Sequence, residues 1–121
     1  MIEILSDFPD NVLAAACRGH VTHEDYETVL IPAVQEKLQT HDKLRIYYEV
    51  DDDFSTIDPS AVFEDIKVGV GHLSRWERFA VVTDVTWIKM TMQVFGFLMP
   101  TEIRVFSLLE KPTARDWIAG D

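Results

Sequence analysis

The sequence predicts one α/β domain over residues 1–121, with a mostly parallel sheet of about five strands and helices mainly on one face. Three observations predict it. Short strand-like runs alternate with helix-like segments along the whole chain, which implies right-handed crossovers between parallel strands. The run RFAVVTDV (78–85) has the continuous apolar centre of a strand buried on both faces. The runs at 43–50 and 102–108 instead alternate apolar and polar residues, as strands with one less apolar face do. A length of 121 residues, 47% hydrophobic and 26% charged, is enough for a core without covalent staples.

The elements follow in order. IEIL (2–5) and NVLAAACR (11–18) read as strands, and the short turn-prone link SDFPDN between them favours an antiparallel pair. Thr22 and Asp25 then have capping-box spacing, with aspartate in place of glutamate. The helix they open runs to about Gln39 and buries Tyr26, Val29, Leu30, Val34 and Leu38; Pro32 inside it removes a backbone bond and predicts a kink. KLRIYYEV (43–50) sets Leu44, Ile46, Tyr48 and Val50 on one side and Arg45, Tyr47 and Glu49 on the other. Asp58-Pro59 is a capped start for a second helix through AVFEDIKVGVGHL. After the strand at 78–85, residues 85–99 form a third helix stopped by Pro100. EIRVFSL (102–108) is the last strand and TARDWIAG (113–120) a short terminal helix.

Charge and cysteine content exclude several classes of function. Of the net −10, residues 1–65 carry 15 acidic and 4 basic side chains, and residues 66–121 carry 6 and 7. A nucleic-acid backbone or an anionic leaflet is repelled by the first part and finds no basic cluster in the second, so neither is expected as a partner. Cys17 stands alone, so no internal disulfide calls for an oxidising compartment, and the amino terminus lacks the charged-then-apolar pattern of a signal peptide. A cytoplasmic location is the expectation.

The order of elements, with DYETVLIPAVQEKL in the first helix, RWERFAVVTDVTWIKM across the fourth strand and third helix, and Ala114-Arg115-Asp116-Trp117 near the end, resembles the SpoIIAA-like family of STAS-type domains. The resemblance covers nearly the whole chain. It implies a β-α superhelix with helices predominantly on one side of the sheet. It also implies kinship with non-enzymatic switches, in which a partner kinase phosphorylates a serine at the start of the second helix. Their Asp-Ser-Ser-Gly-like motif has its counterpart here in Asp53-Phe54-Ser55-Thr56, which lacks the glycine. Asp53, Ser55 and Thr56 are thereby the candidate phosphorylation or partner loop, although Asp51, Asp52, Asp53 and Asp58 would repel an added phosphate.

The remaining candidates separate by chemistry. Three consecutive aspartates on an extended chain point in alternating directions and do not converge on one cation; Asp53 and Asp84, at the ends of different strands, are the pair a carboxylate enzyme would use. Cys17, His20 and His23 lack a fourth ligand for zinc, and no serine lies in a nucleophile elbow. Neither a metal, a cofactor nor a catalytic set is expected.

The third helix is more informative. Trp87, Met90, Met92, Phe95, Phe97 and Met99, together with Ile88, Val94 and Leu98, cover most of its circumference, leaving a narrow strip of Lys89, Gln93 and Gly96. Fifteen residues are too few to span a bilayer, so no integral membrane segment is expected. Such a helix is buried by neighbours, or it forms a homodimer interface or an apolar ligand surface. The expectation is a non-enzymatic module that binds a protein partner, itself included, or a small apolar ligand through Trp87, Met90, Met92, Phe95, Phe97 and Met99.

Overall fold

A computed structural model of the chain describes residues 1–51, 56–57, 75–98 and 101–120. The apolar run Val12–Cys17 forms β2, every residue of it buried. Its alanines let elements approach closely from both sides. β1 (Ile2–Leu5) pairs with it antiparallel, through a turn in which Asp7 takes a positive φ of 67°. The chain then makes the two-residue β3 (His20–Val21), entered through Gly19 at φ 55°, where an L side chain would be strained.

The capping box is formed: Thr22 Oγ1 accepts the Asp25 N–H at 3.1 Å and Asp25 Oδ2 accepts the Thr22 N–H at 2.9 Å. It starts α1 (His23–Asp25), which continues as a π-helical stretch, Tyr26–Leu30, into α2 (Ile31–Leu38). The expected distortion at Pro32 takes this form. Proline cannot donate, and its ring crowds the carbonyl one turn back; the Ile31 N–H reaches instead to the Tyr26 carbonyl, five residues earlier. Pro32 then stands in the first turn of α2, where a missing donor costs nothing.

β4 (Leu44–Val50) lies at the centre of the sheet, and β5 (Thr56–Ile57) pairs parallel with β3. β6 is Trp76–Val82, starting and ending earlier than the sequence predicts. Its end is set by Thr83, whose hydroxyl accepts the Val85 N–H at 3.0 Å and turns the chain toward α3 (Thr86–Leu98). β7 (Glu102–Phe106) and α4 (Lys111–Ala119) complete the chain. The five-stranded sheet has the order β1-β2-β4-β6-β7, parallel throughout except for β1. The second helix expected from Asp58-Pro59 lies outside the described residues.

Period-two alternation on β4 divides the core. Leu44, Ile46 and Val50 join Leu13, Ala15, Cys17, Tyr26, Leu30 and Val34 on one face, with Ile88 of α3 packed against them. Tyr47 lies on the other face with Ala14, Ala80, Val82, Ala114 and Ile118. The helices are therefore mainly on one side, with α4 alone among those described on the opposite side. The small Ala14, Ala80 and Ala114 set the closeness of that contact.

Arginines from outside the helices satisfy the last carbonyls of both α2 and α4. Arg75 donates to the carbonyls of Leu38, His41 and Asp42 at 2.7–2.9 Å. Arg45 and Arg78, on adjacent strands, donate to the carbonyls of Ile118, Trp117 and Gly120. The helix C-termini gain both hydrogen bonds and a charge of the right sign.

Candidate functional site

α3 carries four large apolar side chains on its outer face. Ile88 packs into the core, and Gly96 faces Ile103 of β7, where a Cβ would lie 3.4 Å from the Ile103 Cβ. Met92, between them at four-residue spacing, is half-buried. The opposite face presents Trp87, Met90, Val94 and Phe97 at 50%, 63%, 60% and 93% exposure. Their spacing of three, four and three residues puts all four on one stripe, the a/d pattern of a helix that packs against another helix. An open depression of about 380 Å³ is lined by Met90, Gln93, Val94 and Phe97. Lys89 is the only charged residue of α3, and none of its residues is acidic.

A second cluster sits at the carboxyl edge of the parallel strands, the edge where open α/β sheets gather ligands. Glu49, buried near the end of β4, accepts a hydrogen bond from the Tyr47 hydroxyl at 2.8 Å and lies 3.4 Å from Lys111 Nζ. Asp51 lies 3.7 Å from the same ammonium and 2.8 Å from Nη1 of Arg18, whose Nη2 and Nε reach Glu3. Burial pushes the Glu49 carboxyl up, but the Tyr47 hydroxyl, Asp51 and Lys111 together hold it below its ordinary value. Burial, and then the Glu49 carboxyl beside it, raise that of Asp51 against the pull of Arg18 and Lys111. Burial and the Glu49 carboxylate likewise push the Tyr47 phenol well up. The two carboxyls thus hold a proton on the Asp51 side of the pair more readily than on the Glu49 side.

Of the residues expected to form an interface, Trp87, Met90 and Phe97 lie together on the exposed stripe of α3. Met92 lies on its sheet-ward side. Phe95 belongs to α3, its side chain outside the described residues, as is Met99 altogether. Asp53 and Ser55 are also outside them, and Thr56 is placed only by its backbone pairing with His20. The Asp84 side chain caps the turn before α4, Oδ1 accepting the Leu108 N–H at 3.2 Å. Cys17 contacts the Tyr48 hydroxyl, which in turn meets that of Tyr26, and His23 contacts Glu27; Cys17, His20 and His23 do not gather as zinc ligands. Among the described residues no three His, Cys, Asp or Glu side chains are grouped as a metal centre would require. Sequence reasoning singled out neither Val94 nor the Glu49–Lys111 contact. The heptad spacing of 87, 90, 94 and 97 was the signal for the first; a contact over 62 residues of chain leaves none for the second.

A five-stranded sheet with one antiparallel edge and helices mainly on one face define a small α/β module. The SpoIIAA-like family model matches residues 12–119, and the chain belongs to that family. An uncharacterised protein of the DUF3478 family from Shewanella loihica PV-4, with a SpoIIAA-like fold, is 26% identical; the similarity covers 98% of this chain and 92% of that one, with a TM-score of 0.74. No curated protein matches the chain. The fold is that of regulatory and binding modules in general. Among the described residues no helix is long and apolar enough to cross a membrane.

Proposed function

We propose that this chain is a non-catalytic binding module whose binding surface is the outer stripe of α3: Trp87, Met90, Val94 and Phe97. One observation carries the reading. Among the described side chains of this helix, Trp87, Met90, Val94 and Phe97 lie half to nearly fully exposed on a single face, while Ile88, Met92 and Gly96 are turned to the sheet. Folding alone gains nothing from that arrangement, since an exposed apolar stripe forgoes about 25 cal/mol per Å² of burial. Its occupant is an apolar surface, whether a protein partner or a small apolar ligand.

Binding of the uncharged dye Nile red tests this. The full chain is expected to enhance and blue-shift its emission. Met90→Lys with Val94→Asp should abolish the effect and leave the thermal midpoint unchanged, because both positions are exposed. A double variant that melts lower and binds dye as before sinks the proposal.

A second reading, an enzyme using carboxylates at the strand ends, is favoured by the opposed shifts of Glu49 and Asp51. Against it, Tyr47, Lys111 and Arg18 already engage these carboxyls, as in a structural network.

A further inference from the structure

We propose that a second copy of this chain covers the α3 stripe, the two α3 helices packing antiparallel across a two-fold axis. This rests on the reading of α3 as a binding surface and names its partner.

Area is the first argument. With half of Trp87 and nearly all of Phe97 bare, about 300 Å² of aromatic surface is available on the scale of such side chains. Met90 and Val94 add about 150 Å². Two copies therefore bury roughly 900 Å² from four side chains each, before the exposed Thr91 and Gln93 are counted, against the roughly 1,000 Å² that a specific interface requires. That is the size of a weak, reversible contact rather than of an obligate dimer.

Charge is the second. A chain of net charge −10 repels its own copy over most of its surface. α3 has no acidic residue and a single lysine, so it is a face along which two copies can meet without opposing carboxylates.

Shape sets the orientation. Phe97 is 93% exposed and projects, whereas Trp87 at 50% is half-sunk. An antiparallel two-fold contact, centred near residue 92, places each Phe97 against a Trp87 and each Met90 against a Val94. A parallel contact would set the two projecting phenylalanines together and the two recessed tryptophans together. Antiparallel helix dipoles favour the same choice.

The test is sedimentation equilibrium of the full chain, with cross-linking and dye binding beside it. The expected result is a monomer–dimer equilibrium weakened about 30-fold or more by Val94→Asp, as removal of a central anchor does, with no drop in the thermal midpoint measured at concentrations where both chains are monomeric. A mixture of Met90→Cys and Val94→Cys chains should oxidise to the mixed disulfide in preference to either self-disulfide; the native Cys17, 1% exposed, does not compete. Rising protein concentration should also suppress Nile red binding, since dye and second copy share the stripe. A dimer indifferent to Val94→Asp overturns the proposal, as does a variant that melts lower at concentrations where both chains are monomeric. Predominant self-disulfides overturn the antiparallel contact. A chain monomeric at every concentration that still binds dye through positions 90 and 94 removes the second copy and leaves the binding surface standing. A monomer that binds no dye removes both.

Discussion

Glu49 is the only buried carboxylate among the described residues, and its neighbours explain how it is tolerated. A charge taken out of water is stable only when hydrogen-bonded and paired, and Glu49 has the Tyr47 hydroxyl and the Lys111 ammonium. Glu49→Gln keeps the shape and removes the charge, so Lys111 loses a partner; stability at neutral pH should fall by about 1–3 kcal/mol. Asp51 behaves oppositely. Its folded value is raised, so the stability it contributes is complete below its ordinary 3.8 and is lost as pH rises through the raised value. At neutral pH its ionised form is a cost that Arg18 and Lys111 largely offset, and Asp51→Asn should lie within about 1 kcal/mol of the parent. For Glu49 the folded value is depressed below 4.5, so its contribution is present at neutral pH and lost as pH falls through that lower value. Urea unfolding across the acid range should therefore show the Glu49→Gln deficit closing on acidification and an Asp51→Asn deficit opening. The reverse order of the two variants at neutral pH would contradict the network.

At the scale of the element, α3 shows what sequence can and cannot say about a helix. Its existence was legible from composition and from Pro100 after it. Its orientation was not, because apolar residues nearly all round give no preferred direction to the face that packs. The narrow strip of Lys89, Gln93 and Gly96 does not mark one side, for Gly96 faces β7: a residue with no side chain permits close approach as readily as it marks a surface. The capping box of α1 was legible because it is local, whereas the π-helical response to Pro32 was not, since the sequence gives the missing donor but not how the turn re-forms. Gly96→Ala tests the orientation. Its Cβ would meet the Ile103 Cβ at 3.4 Å, the near limit of ordinary contact, so the reduced backbone entropy should dominate and raise stability by about 0.5–1 kcal/mol. Dye binding should stay unchanged, because position 96 faces away from the stripe. Weaker dye binding with unchanged melting would place Gly96 on the outer face after all.

At the scale of the whole molecule, the mostly parallel sheet of about five strands followed from the alternation of strands and helices, and the resemblance of DYETVLIPAVQEKL and ARDWI to one family agreed with it. The side on which α4 packs was less accessible, since it depends on Ala114 and Ile118 meeting Ala80 and Tyr47 across the sheet. Net charge is the whole-molecule property with a direct consequence for assembly. Two chains of −10 repel through solvent over a Debye length, about 30 Å at 10 mM salt and about 8 Å at physiological ionic strength. The proposed seam contains no ion pair for salt to weaken, because α3 offers one lysine and no carboxylate. Screening should then act on the repulsion alone, and the dimer should tighten several-fold as sodium chloride rises from 10 mM to physiological strength, a gain of about 1 kcal/mol. An assembly held by charge pairs has the opposite sign, its affinity falling over the same range. Sedimentation at graded salt reads the sign without any substitution: self-association that weakens with salt would mean that the two copies meet through charged surface and not through Trp87, Met90, Val94 and Phe97.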